Sequence, residues 1–510
     1  MVGGSQTYLP YHEPTTVTVL ILTSFILFLN CAGWIIDNAL SCGLVAQILL
    51  GVGWGVPGAN WINVDAQKTI LQLGYLGLLL MVFEGGLTTP FKEMKENLLL
   101  SFVIALTGIG IPIALSFSLL GFSDVSPVAA FASGAALCST SLGTAFTILS
   151  TSKLRTTKVG ILLTNAAVFD DIVGLVMMKV VSNLGEGSFT AVSVIRPVFV
   201  SAALIVIVSA VCWLVMRPLT KIAYNRRFEN TNKFVRGIFR RKEFYFVTHT
   251  LLLIGLVTAT SYAGASSLTA AYVTGAAISW WDNEVILLKR EVGISKMPSV
   301  GLAEDNVSED MSSDNYISPS AHIRGRDMFE HFYAQPLNKL LKPFFFGSIG
   351  FSIPIKQMFQ GRLVWRGIVY TVLMFVSKVI CGMWMYIVSC YYHVKERKTK
   401  NRETSSDRQK YDFSSSSYAG ALLGLSMVPR GEIGFLVSSL AESAGVFSGG
   451  SRKSTLKSSD TYVIVTWAIV LCTIIAPIGI GFLARKIKKS PGEHNVLGDW
   501  GLFEGLREKS

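Results

Sequence analysis

This sequence encodes an all-α polytopic membrane protein, and three features carry that expectation. Of its 510 residues 51% are apolar and only 15% are charged, and mean hydropathy is +0.48. The apolar residues gather in long runs, as a hydrocarbon core about 30 Å thick requires of helices of about 20 mainly apolar residues. The basic residues gather in every second interval between those runs.

Taken in order, candidate spans begin near residues 16, 41, 67, 98, 126, 157, 192, 244, 265, 342, 366, 417 and 460, about thirteen transmembrane helices in all. The second, ninth and tenth are short. The intervals 90–97, 151–158, 217–243, 282–341 and 395–416, with the tail from 485, hold 33 of the 45 Lys and Arg. Thirteen helices with the N-terminus outside or lumenal put all six segments in the cytoplasm, as the positive-inside rule asks. The C-terminus is then cytoplasmic, in a plasma membrane or an endomembrane. Net charge +12 follows from basic loops facing an anionic leaflet. The cluster from Arg226 to Lys242 lies between two spans, so no nucleic-acid partner is expected.

The first fifteen residues contain no Lys or Arg and lack the positive n-region of a cleavable signal, so the first helix is expected to direct its own insertion. The seven cysteines lie in or beside apolar runs with no CxxC pair, and read as packing residues rather than metal ligands or a disulfide frame. The intervals 282–341 and 393–416 are polar and poor in apolar residues, and are expected to be flexible cytoplasmic loops. A glycosylation sequon at Asn306 then faces the cytosol and stays unmodified.

Against this background, ionisable residues inside spans stand out, since each costs roughly 2.5–3.5 kcal/mol at a helix centre on insertion scales. The stretch "TNAAVFDDIVGLVMM" sets Asp170 and Asp171 side by side in the sixth span. Neighbours on a helix point about 100° apart. If Asp171 faces a water-filled crevice, Asp170 turns toward another helix, where a cation can neutralise it. Lys378, in "VLMFVSKVICGMWM", is the only basic residue deep in the eleventh span and is the expected partner. A carboxylate that carries either a proton or a metal cation, never both, couples two fluxes. Asn165 and Glu84 read equally as support for such a site or as ordinary polar contacts between helices.

Two stretches weaken their helices. The fifth span carries Ser139, Thr140, Ser141, Gly143 and Thr144, and the twelfth carries Pro429, Arg430, Gly431 and Glu432. Broken helices in corresponding positions of two halves mark a midplane site in transporters built from inverted repeats. Spans four to six and eleven to thirteen are the expected repeats, with the broken, crossing helix in the middle of each. Half-helix ends carry partial charges, and Arg430 and Glu432 are expected to offset them.

The double aspartate, the helix-centre lysine and the "STS" and "PRGE" breaks, in this order, resemble the monovalent cation:proton antiporter superfamily, and within it the electrogenic double-aspartate branch of sodium/proton exchangers. The resemblance covers most of residues 15–485; "LLLMVFEGGLTTP" and "PFFFGSIGFSI" are similar to further segments of that family. It implies that Asp171 is the main cation and proton site, that Asp170 exchanges a salt bridge with Lys378, and that oxygens around Thr140 and Ser141 help coordinate the ion. It further implies a homodimer working in pH homeostasis by exchanging H+ for Na+, K+ or Li+, with no cofactor, no resident metal and no enzymatic activity.

Within a transmembrane domain of 14–486, core helices (98–182 and 366–484) would move like an elevator against interface helices (16–90 and 244–358), joined by a linker helix at 192–216. A cytoplasmic tail, 487–510, follows. No GxGxxG sits in a soluble βαβ context, so nucleotide gating is not expected. Three other functions compete with exchange. A sodium-coupled symporter wants a larger polar or aromatic cavity, a cation channel favours rings of identical residues or a backbone filter, and a non-transporting scaffold leaves the intramembrane charges without a task.

Overall fold

The computed structural model describes residues 13–40, 43–89, 98–123, 125–141, 157–185, 191–226, 242–295, 324–399, 413–448, 459–489 and 500. The described residues are 87% helical, and none of them lies in a strand. Hydrocarbon supplies no partner for a bare peptide group, so a chain of this composition closes its hydrogen bonds within helices. The first half of the chain begins with α1 (Thr16–Leu40), α2 (Gly43–Trp54) and α3 (Val64–Leu87). Next come α4 (Leu98–Ser116), α5 (Pro127–Cys138), α6 (Lys158–Leu184), α7 (Ala191–Val211) and, after a π-helical turn, α8 (Arg217–Arg226). The second half holds α9 (Lys242–Ala263), α10 (Ser267–Ser295), α11 (Gly325–Phe332), α12 (Lys342–Phe351) and α13 (Gly361–Val379). It closes with α14 (Met383–Thr399), α15 (Phe413–Ser426), α16 (Glu432–Ser443) and α17 (Asp460–Lys489).

A helix begins close to each of the thirteen expected starts, the largest offset being 361 against 366. Among the described residues, eight helices are long and apolar enough to cross a bilayer by length and composition. The helices pack in two groups: α1, α2 and α3 with α9, α10 and α12, and α4, α5 and α6 with α13, α15, α16 and α17. Contact between the groups runs mainly through α6 with α10 and α12 with α16, and α7 touches both α6 and α10. In the first group, glycines bring backbones together. A Cβ on Gly51 of α2 would overlap the Gly347 carbonyl of α12, and one on Gly275 of α10 would overlap the Phe83 carbonyl of α3. Small residues at such crossings let van der Waals packing replace the hydrophobic drive that lipid does not supply.

Several helix ends differ from the expected boundaries. The ninth helix outruns its short apolar run: α10 extends for 29 residues, because polar "DNEVILLKREVGIS" continues the helix past the apolar residues, where Glu284 accepts from Arg217 Nε at 2.7 Å. Both ends of the interval 282–341 are therefore ordered. The Gly325 N–H donates to Asp282 Oδ2 at 2.6 Å and docks the start of α11 on α10, while 296–323, with the Asn306 sequon, lies outside the described residues. Helix likewise takes both ends of 393–416, through Thr399 in α14 and from Phe413 in α15. Of the tail, α17 includes the residues to Lys489, and the Trp500 indole N–H donates to Ser389 Oγ at 3.2 Å.

Candidate functional site: two crossed helix breaks

The site begins with a helix that stops early. Ser126 caps α5, its Oγ accepting from the Ala129 N–H at 3.2 Å, with Pro127 at the first helical position. After twelve residues the helix ends at Cys138, and Ser139 is extended (φ −69°, ψ 144°). The residues expected to continue the break, Gly143 and Thr144, lie outside the described residues. On the other side, α15 ends at Ser426 and α16 starts at Glu432, with Gly431 extended between them (φ −120°, ψ −155°). The breaks cross. The Ser141 N–H donates to the Pro429 carbonyl at 2.8 Å, and a Cβ on Gly431 would press on the Ser141 side chain at 2.7 Å.

Charges gather where the backbone is open. Lys378, in the last turn of α13, is fully buried and donates from Nζ to Asp170 Oδ2 at 2.7 Å, to Thr140 Oγ1 at 2.9 Å and to the Cys138 carbonyl at 2.5 Å. Arg430, also 0% exposed, donates from Nη1 to the Ser139 carbonyl at 3.1 Å, and its own carbonyl accepts from Thr473 Oγ1 at 2.7 Å. Both cations thus meet the carbonyl end of α5, where the partial charge of a helix is negative. Glu432 occupies the first turn of α16, the end where it is positive.

The two aspartates part as the helix geometry requires. Asp170 is fully buried; Oδ2 also accepts from Thr140 Oγ1 at 2.7 Å, a hydroxyl that lies 3.2 Å from the Met427 carbonyl, and Oδ1 has no partner among the described residues. Asp171 is half-buried, and its Oδ1 accepts from Ser139 Oγ at 3.3 Å. Glu432, Asp170 and Lys378 make up its charged surroundings. A cavity of about 360 Å³ between the end of α1 and the starts of α2 and α12 reaches the crossing, and its lining includes Ser141, Glu432, Asp37, Gln47 and Lys342.

Thr140 serves the Asp170–Lys378 pair rather than Asp171, and Ser139 is the hydroxyl that reaches Asp171. Ser139 is visible in the sequence as the first residue after the α5 end, but in an extended segment spacing along the sequence does not say which side chain turns which way. Asn165 is buried on α6 with neither side-chain atom partnered among the described residues. Glu84 has Lys342, Arg326 and Glu330 as its charged neighbours.

The early end of α5 and the interruption between α15 and α16, crossed over buried charges, fit the pattern of a midplane site in transporters built from inverted repeats. The chain belongs to the sodium/hydrogen exchanger family, whose transmembrane profile matches residues 19–304 and 307–486. It is similar to the Na+/H+-K+ antiporter GerN of Bacillus cereus, 22% identical over 85% of this chain and 88% of that protein. It is also similar to the high-affinity Na+/H+ antiporter NhaS3 of Synechocystis, 28% identical over 36% of this chain, a match spanning only 40% of the Synechocystis protein. Its fold is like that of the sodium proton antiporter MjNhaP1 from Methanocaldococcus jannaschii, with a TM-score of 0.56 at 15% identity, covering 93% of this chain and all of that one.

Proposed function

We propose that this protein exchanges protons for Na+ or K+ across its membrane by alternating access, with Asp171 as the group that carries one or the other. The observation that carries this reading is the unequal setting of the two aspartates. Asp170 is fully buried and ion-paired with Lys378, whereas half-buried Asp171 has only a long hydrogen bond from Ser139 and, among the described residues, no cation in contact. A carboxylate left in that state at a helix crossing can take a proton or a desolvated monovalent cation, with Ser139 Oγ as a further oxygen. The similarity to GerN favours Na+ and K+ over other cargo.

In this reading, the group of α4–α6 and α13–α17 is the moving core and the group of α1–α3 and α9–α12 is the dimer interface, with α7 as linker. The N-terminus is outside or lumenal and the C-terminus cytoplasmic. Asp170 and Lys378 open their pair as the cation arrives, so that more than one proton is returned per cation and transport is electrogenic. Arg430 and Glu432 hold the half-helix ends in place. In proteoliposomes loaded with a pH dye, Na+ or K+ pulses should drive proton efflux in the parent and none in Asp171→Asn, at equal reconstitution; full exchange in that variant would falsify the site.

A further inference from the structure

Lys179 has no task in the exchange reading. It lies on α6 eight residues beyond Asp171 and five before the helix ends at Leu184, and no carboxylate pairs with it among the described residues. It faces a cavity of about 420 Å³ between the two helix groups, at the end of the bundle opposite to the Glu432 cavity. Nine of the seventeen residues around that cavity carry hydroxyls and none is Asp or Glu. A route meant only for cations would carry acidic groups or carbonyls; this one carries a fixed positive charge.

The start of α10 opens on the same cavity through Ser266 and Ser267. Ser266 is 2% exposed and its hydroxyl has no partner among the described residues. By contrast, Ser348 and Ser443 donate to the Phe345 and Ser439 carbonyls of their own helices, at 2.7 and 2.8 Å. The buried hydroxyl left open therefore stands beside the first amides of a 29-residue helix, which point their N–H groups and a partial positive charge out of the helix end. A lysine, a helix N-terminus and an unpaired buried donor facing one cavity are the elements of an anion site.

We propose that this cavity binds a small monovalent anion of the halide class, held by the Lys179 ammonium, the Ser266 hydroxyl and the N-terminus of α10. In the orientation proposed for exchange the cavity is the outer one, and the bound anion neutralises Lys179 on the outer route to Asp171. Eight residues along a helix are about 12 Å. At an effective dielectric near 20, an unneutralised charge at that distance weakens cation affinity by at most about tenfold.

The kinetic half of this inference rests on the exchange reading, and the binding half does not. Purified protein titrated with chloride or bromide against gluconate, at constant ionic strength and cation, should show a saturable rise in thermal midpoint. The rise should vanish in Lys179→Met, weaken in Ser266→Ala and persist in Asp171→Asn. In proteoliposomes, replacing external chloride by gluconate should raise the external cation KM several-fold in the parent but not in Lys179→Met. A parent protein indifferent to halide overturns the site, including the case in which a lipid phosphate sits on Lys179. An undiminished halide response in both Lys179→Met and Ser266→Ala also overturns it, and Ser266→Ala alone carries that test if Lys179→Met fails to fold. Saturable, Lys179-dependent halide binding in a protein that exchanges nothing would sink the exchange reading and leave the anion site standing.

Discussion

Replacing Lys378 by methionine isolates what the buried ion pair contributes at the crossing. Methionine keeps the length of the side chain but removes three donor contacts, to Asp170 Oδ2 at 2.7 Å, Thr140 Oγ1 at 2.9 Å and the Cys138 carbonyl at 2.5 Å. Asp170 is 0% exposed, so its carboxylate would be left with the Thr140 hydroxyl as its one donor among the described residues. Removing one partner of such a pair typically costs about 3–5 kcal/mol, because the remaining charge is desolvated without compensation, whereas replacing both is often close to neutral. Lys378→Met should therefore unfold at a clearly lower temperature than the parent, and the double variant Asp170→Asn/Lys378→Met should recover most of the loss. The assay is a double-mutant cycle on thermal unfolding in detergent at one pH near 8, with size exclusion to confirm folded protein. A double variant that falls by the sum of the two single losses would mean that the pair is not coupled, and that Lys378 does not neutralise Asp170 at the crossing.

The remaining predictions concern the two hydroxyls at the crossing and the packing of α2 on α12. Ser139→Ala removes the hydroxyl 3.3 Å from Asp171 and should raise the cation KM several-fold with little change in thermal midpoint; an unchanged KM removes Ser139 from the coordination shell. Thr140→Ala should do the reverse and cost about 1–3 kcal/mol of stability, since its buried hydroxyl joins Asp170 and Lys378. Gly51→Val should abolish monodisperse protein on size exclusion because the Gly347 carbonyl occupies the space its Cβ needs, while Gly53→Ala, with nothing within 4 Å of the added carbon, should behave like the parent. Equal behaviour of these two variants would refute the close packing of α2 on α12.

Much of the architecture is legible in the chain because it is written in local periodicity. Apolar run length sets where helices start, and the 100° step between neighbours separates the faces of Asp170 and Asp171 without any knowledge of the fold. The contact of Asp170 with Lys378 is legible for a related reason: one basic residue lies deep in its span, and a charge there needs an opposite one. What the sequence could not assign lies where helical periodicity stops. In the extended residues after Cys138, only the crossing with the Pro429–Gly431 segment decides that Thr140 turns to the ion pair and Ser139 to Asp171. The length of α10 is likewise hidden, because polar residues near water continue a helix only where partners such as Arg217 and the Gly325 amide meet them. Intramembrane charge alone leaves the role of Glu84 open, and only tertiary packing gives it Lys342 and Arg326 as charged neighbours. A helix turns sequence spacing into direction, so the sequence determined which faces exist; an extended break carries no such rule, so only packing determined which of its hydroxyls faces Asp171.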